Sequence, residues 1–334
     1  MSKPRNLPHG CIVPVPFLPY PGLGGAHAQT MMPALLRRTP ALVSRHERLE
    51  LPDGDFVDLA HSGSGNGPIA VLVHGLGGGF DSKYLRGTAL HLIAQGWRTL
   101  TLQLRGGGAT ANRLARTYHH GDTADLRYLW HWLRAKEPLT RIASVGWSLG
   151  GNVVLKAAGE EGDAAPVDFV AAASVPFKLE ECVEFLKTGF ARVYQNRMLD
   201  DLKQMIRRKV AGGSVGNVDV QAALRARDFT EFDNAWTAPL NGFADAADYY
   251  ARAACGQYLH AIRRPTLIVH ALDDPFMVPS IIPPATALAP SVLLELCERG
   301  GHVGFVGQGR RGRPEYWLEQ RLSGWLQGSL ERSP

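Results

Sequence analysis

Cysteine is scarce in this chain: four in 334 residues, Cys11, Cys182, Cys255 and Cys297, with no pair at C-x-x-C spacing. That spacing argues against a zinc site and against a disulfide framework, and the simpler inference is a reducing compartment. Long apolar runs are missing too. No stretch approaches the ~20 residues that a membrane-spanning helix requires, and the opening Met1-Ser2-Lys3-Pro4-Arg5-Asn6-Leu7-Pro8 has no apolar core of a secretory signal. The expectation is a soluble, cytoplasmic protein. Excess charge is modest, 36 Lys and Arg against 31 Asp and Glu for a net +5. The basic residues fall in small scattered clusters (Arg37-Arg38, Arg207-Arg208-Lys209, Arg263-Arg264, Arg310-Arg311) without a nucleic-acid motif, so nucleic acid is not an expected partner. A weak attraction to an anionic membrane surface remains compatible with them. There are no internal repeats.

What is present is a hydrophobic content of 45%, enough for one large α/β domain with an insertion. Residues 1–45, rich in proline and glycine, read as an irregular arm over the surface. Strand-like runs at 47–51 and 56–60 flank Pro52-Asp53-Gly54-Asp55, a hairpin turn by composition. Apolar strands then alternate with helices: strands at 69–73, 98–104, 142–145 and 169–175, helices at 82–95 and 123–133. This alternation predicts a mostly parallel sheet with helices on both faces, built from residues 46–177 and 259–330. Between them, residues 178–258 show helical periodicity and no convincing strand, which predicts a helical cap. Its apolar stripe is Leu179, Val183, Leu186, Phe190 and Val193, continued by Leu199, Leu202, Met205 and Ile206, with Lys187, Arg192, Arg197, Lys203, Arg207 and Arg208 on the polar side. Strands at 266–272 and 292–296 and a closing helix at 315–326 complete the domain.

Directly after the strand at 142–145 stands Gly146-Trp147-Ser148-Leu149-Gly150. A G-x-S-x-G turn between strand and helix forces its serine into a strained conformation that exposes the hydroxyl at the rim of the sheet. A serine hydroxyl needs a base, and the base needs a carboxylate to orient it. Both follow in the chain order Ser, Asp, His: Ala271-Leu272-Asp273-Asp274-Pro275 ends one strand and Gly300-Gly301-His302-Val303-Gly304 follows the last. Of the two acids, Asp273 lies three positions beyond the strand-end His270 and is the preferred orienting group, whereas Asp274, before Pro275, reads as the cap of the following turn. His74-Gly75-Leu76-Gly77-Gly78-Gly79 follows the strand at 69–73 and is the type of loop that brings a backbone N–H to an oxyanion; the expected donors are the amides of Leu76 and Leu149. Neither G-x-x-x-x-G-K-[ST] nor G-x-G-x-x-G can be written over it, which weakens a nucleotide-binding reading. His74 reads as a structural hydrogen bonder. His119-His120 near Asp122 raise the question of a metal, but a helix N-cap at Asp122 or Thr123 accounts for the same polar cluster.

With these residues in place the chain resembles the YheT-like family of α/β-hydrolases, esterases and lipid hydrolases. The resemblance runs from about Gly24 to Leu326 and includes His27-Ala28-Gln29-Thr30, His74-Gly75-Leu76-Gly77-Gly78, Asn112-Arg113-Leu114 with Tyr118-His119, Gly146-Trp147-Ser148-Leu149-Gly150-Gly151-Asn152, Phe243-Ala244-Asp245 with Tyr249-Tyr250, Asp273-Asp274-Pro275-Phe276 and Gly300-Gly301-His302-Val303-Gly304-Phe305. Arg105-Gly106-Gly107-Gly108 departs from it, since relatives tend to carry a more polar loop there. The resemblance implies an α/β-hydrolase fold, a Ser148, Asp273 and His302 triad and carboxylic-ester hydrolysis, with a small-molecule or lipid ester as substrate and no metal or organic cofactor. Acyl transfer by the same triad, and a non-catalytic binding role on the same fold, are the alternatives.

Overall fold

A computed structural model describes residues 9–309 and 312–332. The chain start read for a signal (residues 1–8) and the Arg310-Arg311 pair lie outside the described residues. Nine strands form one sheet: β1 (Cys11–Pro14), β2 (Arg45–Glu50), β3 (Phe56–Ser62), β4 (Ile69–Val73), β5 (Arg98–Gln103), β6 (Ile142–Trp147), β7 (Phe169–Ala173), β8 (Thr266–Ala271) and β9 (Val292–Cys297). Their order is β1-β9-β8-β7-β6-β4-β5-β3-β2, and every pair is parallel except those that β3 makes with β5 and β2. Every residue of β4, β6, β7 and β8 is buried, because a parallel sheet covered on both faces needs continuous apolar strands rather than alternation. The outer strand β2 carries Arg45, Glu47, Arg48 and Glu50, charges that keep an edge from pairing with another chain.

The helices α1 (Ala26–Leu36), α2 (Lys83–Ala94), α3 (Ala124–Lys136), α4 (Leu149–Glu161) and α11 (Trp317–Arg332) surround the sheet. Leu85, Leu92, Leu318, Leu322 and Leu326 bring α2 and α11 onto one face, together with Trp97 and Trp147. On the other face Leu126, Leu129, Trp130, Val153 and Val154 bring α3 and α4, in one core shared with the helical segment between β7 and β8. That segment comprises α5 (Leu179–Leu186), α6 (Ala191–Ala211), α7 (Val220–Arg225), α8 (Phe229–Phe232), a π-turn (Asp233–Thr237), α9 (Ala238–Leu240) and α10 (Ala246–Ala253). Asp219, Asp228 and Asp245 cap α7, α8 and α10 by accepting from the N–H three residues on. Asn152 ties the segment down: its Nδ2 donates to His120 O and Ala253 O, and its Oδ1 accepts from Cys255 N, each at 2.8 Å.

Four expectations need correction. The N-terminal stretch is not an irregular arm: β1 pairs with β9, Cys11 opposite Leu293, and α1 follows. The apolar stripe does not run as one helix to Val193. It ends at Leu186, the helix is interrupted over residues 187–190, and Phe190 and Val193 stand 49% and 51% exposed. Neither Asp122 nor Thr123 caps α3 through its side chain; Asp122 pairs with Arg116, and the Thr123 hydroxyl donates to Glu160. Lys209 is not a surface cation: it is 1% exposed and its Nζ donates to Asn112 O and Oδ1, both at 2.7 Å, and to Leu114 O.

Candidate active site

The turn from β6 into α4 is built by close approach. A Cβ on Gly146 would sit 2.2 Å from Gly150 O, and one on Gly150 would sit 2.3 Å from Val73 O, so strand, turn and helix pass at distances that only glycine permits. Between them Ser148 has φ 54° and ψ −120°, a region that L-residues occupy only under strain. Its N–H donates to Ala173 O at 2.9 Å and its carbonyl accepts from Asn152 N at 3.0 Å, so neighbouring strand and helix hold the backbone in that state. The side chain is left only partly covered at the head of α4.

His302 reaches the same cleft from the loop after β9. Its Nδ1 lies 2.8 Å from Asp274 Oδ2, not from Asp273. Asp274 is buried, and its Oδ1 accepts from Phe276 N at 2.9 Å. Asp273 turns instead to the loop backbone, where its Oδ1 accepts from Gly301 N at 2.9 Å, and burial raises its carboxyl above the usual range. The reason is local. The chain turns immediately after β8, with Asp274 N donating to Ala271 O, so strand alternation no longer decides which side chain faces the histidine.

Several groups that sequence reasoning left without a role fix this loop. Thr30 Oγ1, on α1, accepts from His302 N at 2.9 Å. Gln29 brackets Val306, its Oε1 accepting from Val306 N at 2.6 Å and its Nε2 donating to Val306 O at 3.0 Å. Ser174, held at φ 52°, accepts from Val303 N at 3.0 Å. The Phe276 ring stacks on the His302 imidazole with centroids 4.0 Å apart. The one signal was the His27-Ala28-Gln29-Thr30 run itself, which has no periodicity to betray its function.

The glycine loop after β4 is equally determined. Gly75 N donates to Tyr84 OH at 2.9 Å, Gly77 N to Tyr118 OH at 3.0 Å, Gly78 N to Gly75 O and Gly79 N to Ser82 Oγ. Among the described residues no acceptor is found for the N–H of Leu76 or of Leu149, first in α4, and both residues line the hollow at Ser148. His74 anchors the loop: its Nδ1 donates to Gly75 O at 2.7 Å and its Nε2 accepts from Leu104 N at 3.1 Å. Full burial pushes its imidazole down to about 4, so it stays neutral and hydrogen-bonds rather than titrates near pH 7. His119 and His120 are likewise pushed down to about 3 by burial, and His120 Nδ1 is bonded to Tyr249 OH at 3.0 Å.

Arg105, in the segment that departs from the resemblance, points away from the cleft into a buried ion cluster. It donates to both oxygens of Asp125 at 2.8 and 2.6 Å, to Asp53 at 2.7 Å and to Asp55 at 3.0 Å. Asp55 also accepts from Asn112 Nδ2, which places Lys209 of α6 on the same network through Asn112.

Two hollows meet at Ser148. An outer groove, lined also by His302, the glycine loop and α1, opens to solvent. An inner cavity runs under the helical segment, its wall formed by Leu179, Val183, Leu186, Met198, Leu202 and Met205. Among the described residues no helix is long and apolar enough to cross a membrane.

A model of the alpha/beta hydrolase fold family matches residues 68–307. The chain is 41% identical over 321 residues to the "Putative esterase YheT" of Escherichia coli (strain K12), with 94% of each chain covered. It is 26% identical over 317 residues to Phospholipase ABHD3 of Homo sapiens, covering 91% of this chain and 76% of that one. The Pyrococcus furiosus esterase Pf2001 superposes with a TM-score of 0.56 at 14% identity, covering 87% of this chain and 91% of that one, a likeness of fold alone.

Proposed function

Because the chain belongs to the YheT-like family of α/β-hydrolases, we propose that it cleaves carboxylic esters through an acyl-enzyme on Ser148, with His302 as the base and Asp274 as the acid that orients it. The observation that carries this reading is the 2.8 Å bond between His302 Nδ1 and buried Asp274, in the cleft where the strained elbow presents Ser148. With Nδ1–H committed to Asp274, the imidazole keeps its Nε2 lone pair free to take the serine proton. Ser148 Oγ then attacks the carbonyl carbon, and the oxyanion that forms meets the unpartnered N–H groups of Leu76 and Leu149. Collapse breaks the ester C–O bond as His302 returns its proton to the leaving alkoxide. Water, activated by the same histidine, releases the acid.

The apolar inner cavity supports a slender hydrocarbon chain on the acyl side, each buried CH₂ contributing about 0.8 kcal/mol. Its methionines, Met198, Met205 and Met277, are unbranched and adaptable, which suits a range of chain lengths. The outer groove leaves room for the alcohol portion, and a small lipid ester fits both. The test is labelling with a fluorophosphonate probe together with turnover of p-nitrophenyl esters by the purified chain. Absence of both labelling and turnover in folded protein overturns the reading.

A further inference from the structure

The inner cavity is lined in part by polar groups for which hydrolysis of a plain acyl ester has no use. Asp233, in the π-turn after α8, is 6% exposed and lines the cavity that begins at Ser148. Its Oδ1 accepts from Thr237 Oγ1 at 2.6 Å and its Oδ2 from Tyr250 OH at 2.8 Å. A carboxylate offers about four acceptor positions, so two are left. Among the described residues no lysine, arginine or histidine forms an ion pair with it. The charge that acts on it is that of Asp228, of like sign, and burial pushes the carboxyl up to about 7. The histidines on the same cavity wall, His119 and His120, are kept neutral by their own burial and supply no positive charge.

A buried acid without a counter-charge is costly, and two hydroxyl donors alone do not require one. Ser148 and Asp233 line one cavity whose remaining wall is mostly apolar, Leu76, Leu179, Val183, Leu186, Leu202 and Phe232, interrupted by Thr117, Tyr118 and the neutral His119 and His120, so the same hollow presents a reacting group and a separate acceptor. We propose that the inner cavity is built for a two-ended substrate: an aliphatic chain whose ester carbonyl lies at Ser148 and whose far end carries a hydrogen-bond donor, a hydroxyl or an ammonium, received by Asp233 with Tyr250 and Thr237. This rests on the serine-esterase reading and names its substrate class. A purely structural role for Asp233, bracing the π-turn against α10, makes a different demand: its removal would slow every ester alike.

The experiment compares p-nitrophenyl esters of C4 to C12 acids in three forms, plain, ω-hydroxy and ω-amino. At one chain length the wild-type kcat/KM for an ω-substituted ester should exceed that for the plain ester by about tenfold or more, as expected of a site that hydrogen-bonds its substrate. The larger of the hydroxyl and amine ratios identifies the donor. Asp233→Leu should bring that ratio to one or below, and Asp233→Asn should remove the amine advantage while keeping part of the hydroxyl one. A wild-type ratio of one or less at every length, or a ratio unchanged in the variants, overturns the proposal. Calorimetric binding of ω-hydroxy and ω-amino alkanoates against plain alkanoates separates the two readings. A tenfold preference lost in Asp233→Leu stands even if no ester is turned over, and then only the esterase reading falls.

Discussion

Replacing Asp274 by asparagine puts the proposed division of labour between the two adjacent acids to a quantitative test. Asp274 spends one oxygen on Phe276 N–H at 2.9 Å and the other on His302 Nδ1 at 2.8 Å. An asparagine has one acceptor and one donor to offer those two positions. If its oxygen stays on Phe276 N–H, its NH₂ faces Nδ1, which must then accept; the ring proton moves to Nε2, the atom that has to receive the proton of Ser148. If the amide flips, two N–H donors confront each other at Phe276 in a buried place. The flip would keep the right tautomer at the cost of that buried donor clash, so the first arrangement is favoured and the base is disabled while the shape is kept; the corresponding change in a serine triad lowers kcat by about 10⁴, which is about 5.4 kcal/mol of barrier. Asp273→Asn leaves an oxygen for Gly301 N–H and should cost less than about tenfold. The assay is kcat on a p-nitrophenyl ester for both variants, with circular dichroism and melting temperature to show that they are folded. An Asp274→Asn enzyme within tenfold of wild type, or a larger loss in Asp273→Asn, refutes the assignment.

Ser148→Ala should lower kcat by about 10⁴ to 10⁶ and abolish fluorophosphonate labelling at unchanged melting temperature. Thr30→Val removes the acceptor of His302 N and should lower kcat about tenfold with KM nearly constant, and Thr30→Ser should restore it; equal kcat in all three would show that α1 does not position the base. Leu186→Ala widens the inner cavity and should move the chain-length optimum of kcat/KM to longer acyl groups, at a stability cost of about 2–5 kcal/mol. Phe190, half-exposed and not on the cavity wall, should leave that optimum in place when replaced by alanine. Acid should destabilise the fold early: His74 and His270, both pushed down to about 4 by burial, bind protons only in the unfolded chain between pH 6.5 and 4. Stability is therefore lost as pH falls through that window, by about 2 kcal/mol per histidine at pH 5. Urea unfolding at pH 7, 6 and 5 measures it, and a midpoint that does not fall would refute it.

Those parts of the site that arise from short stretches of chain were legible from the residues. The elbow is a local object, because Gly146 and Gly150 are required by contacts within one turn and the adjoining strand, and four strands that are apolar but for Ser144, Thr266 and His270 belong in the middle of a covered sheet. The Asp-initiated helices over residues 219–253 are local in the same way, each cap reaching three residues ahead. What escaped is what depends on partners far along the chain. β1 has too few residues and too many prolines around it to read as a strand, and it exists because β9, some 280 residues on, offers a parallel edge. Thr30 and Gln29 look like ordinary helix residues until the loop after β9 arrives to use them.

The two aspartates show the boundary between these cases most sharply. Counting along a strand works only while the strand lasts, and β8 stops at Ala271. Beyond it, direction is set by the turn closed between Asp274 N and Ala271 O and by which backbone donors the next segment brings: Gly301 N–H draws Asp273, and Phe276 N–H, with the imidazole above it, holds Asp274. Two neighbouring carboxyls of equal chemistry are thus sorted by the backbone around them. An imidazole held so rigidly at Nδ1, stacked on Phe276 and tied through its own N–H to Thr30, has little freedom left except to exchange a proton at Nε2, which is the one motion that the proposed ester cleavage asks of His302.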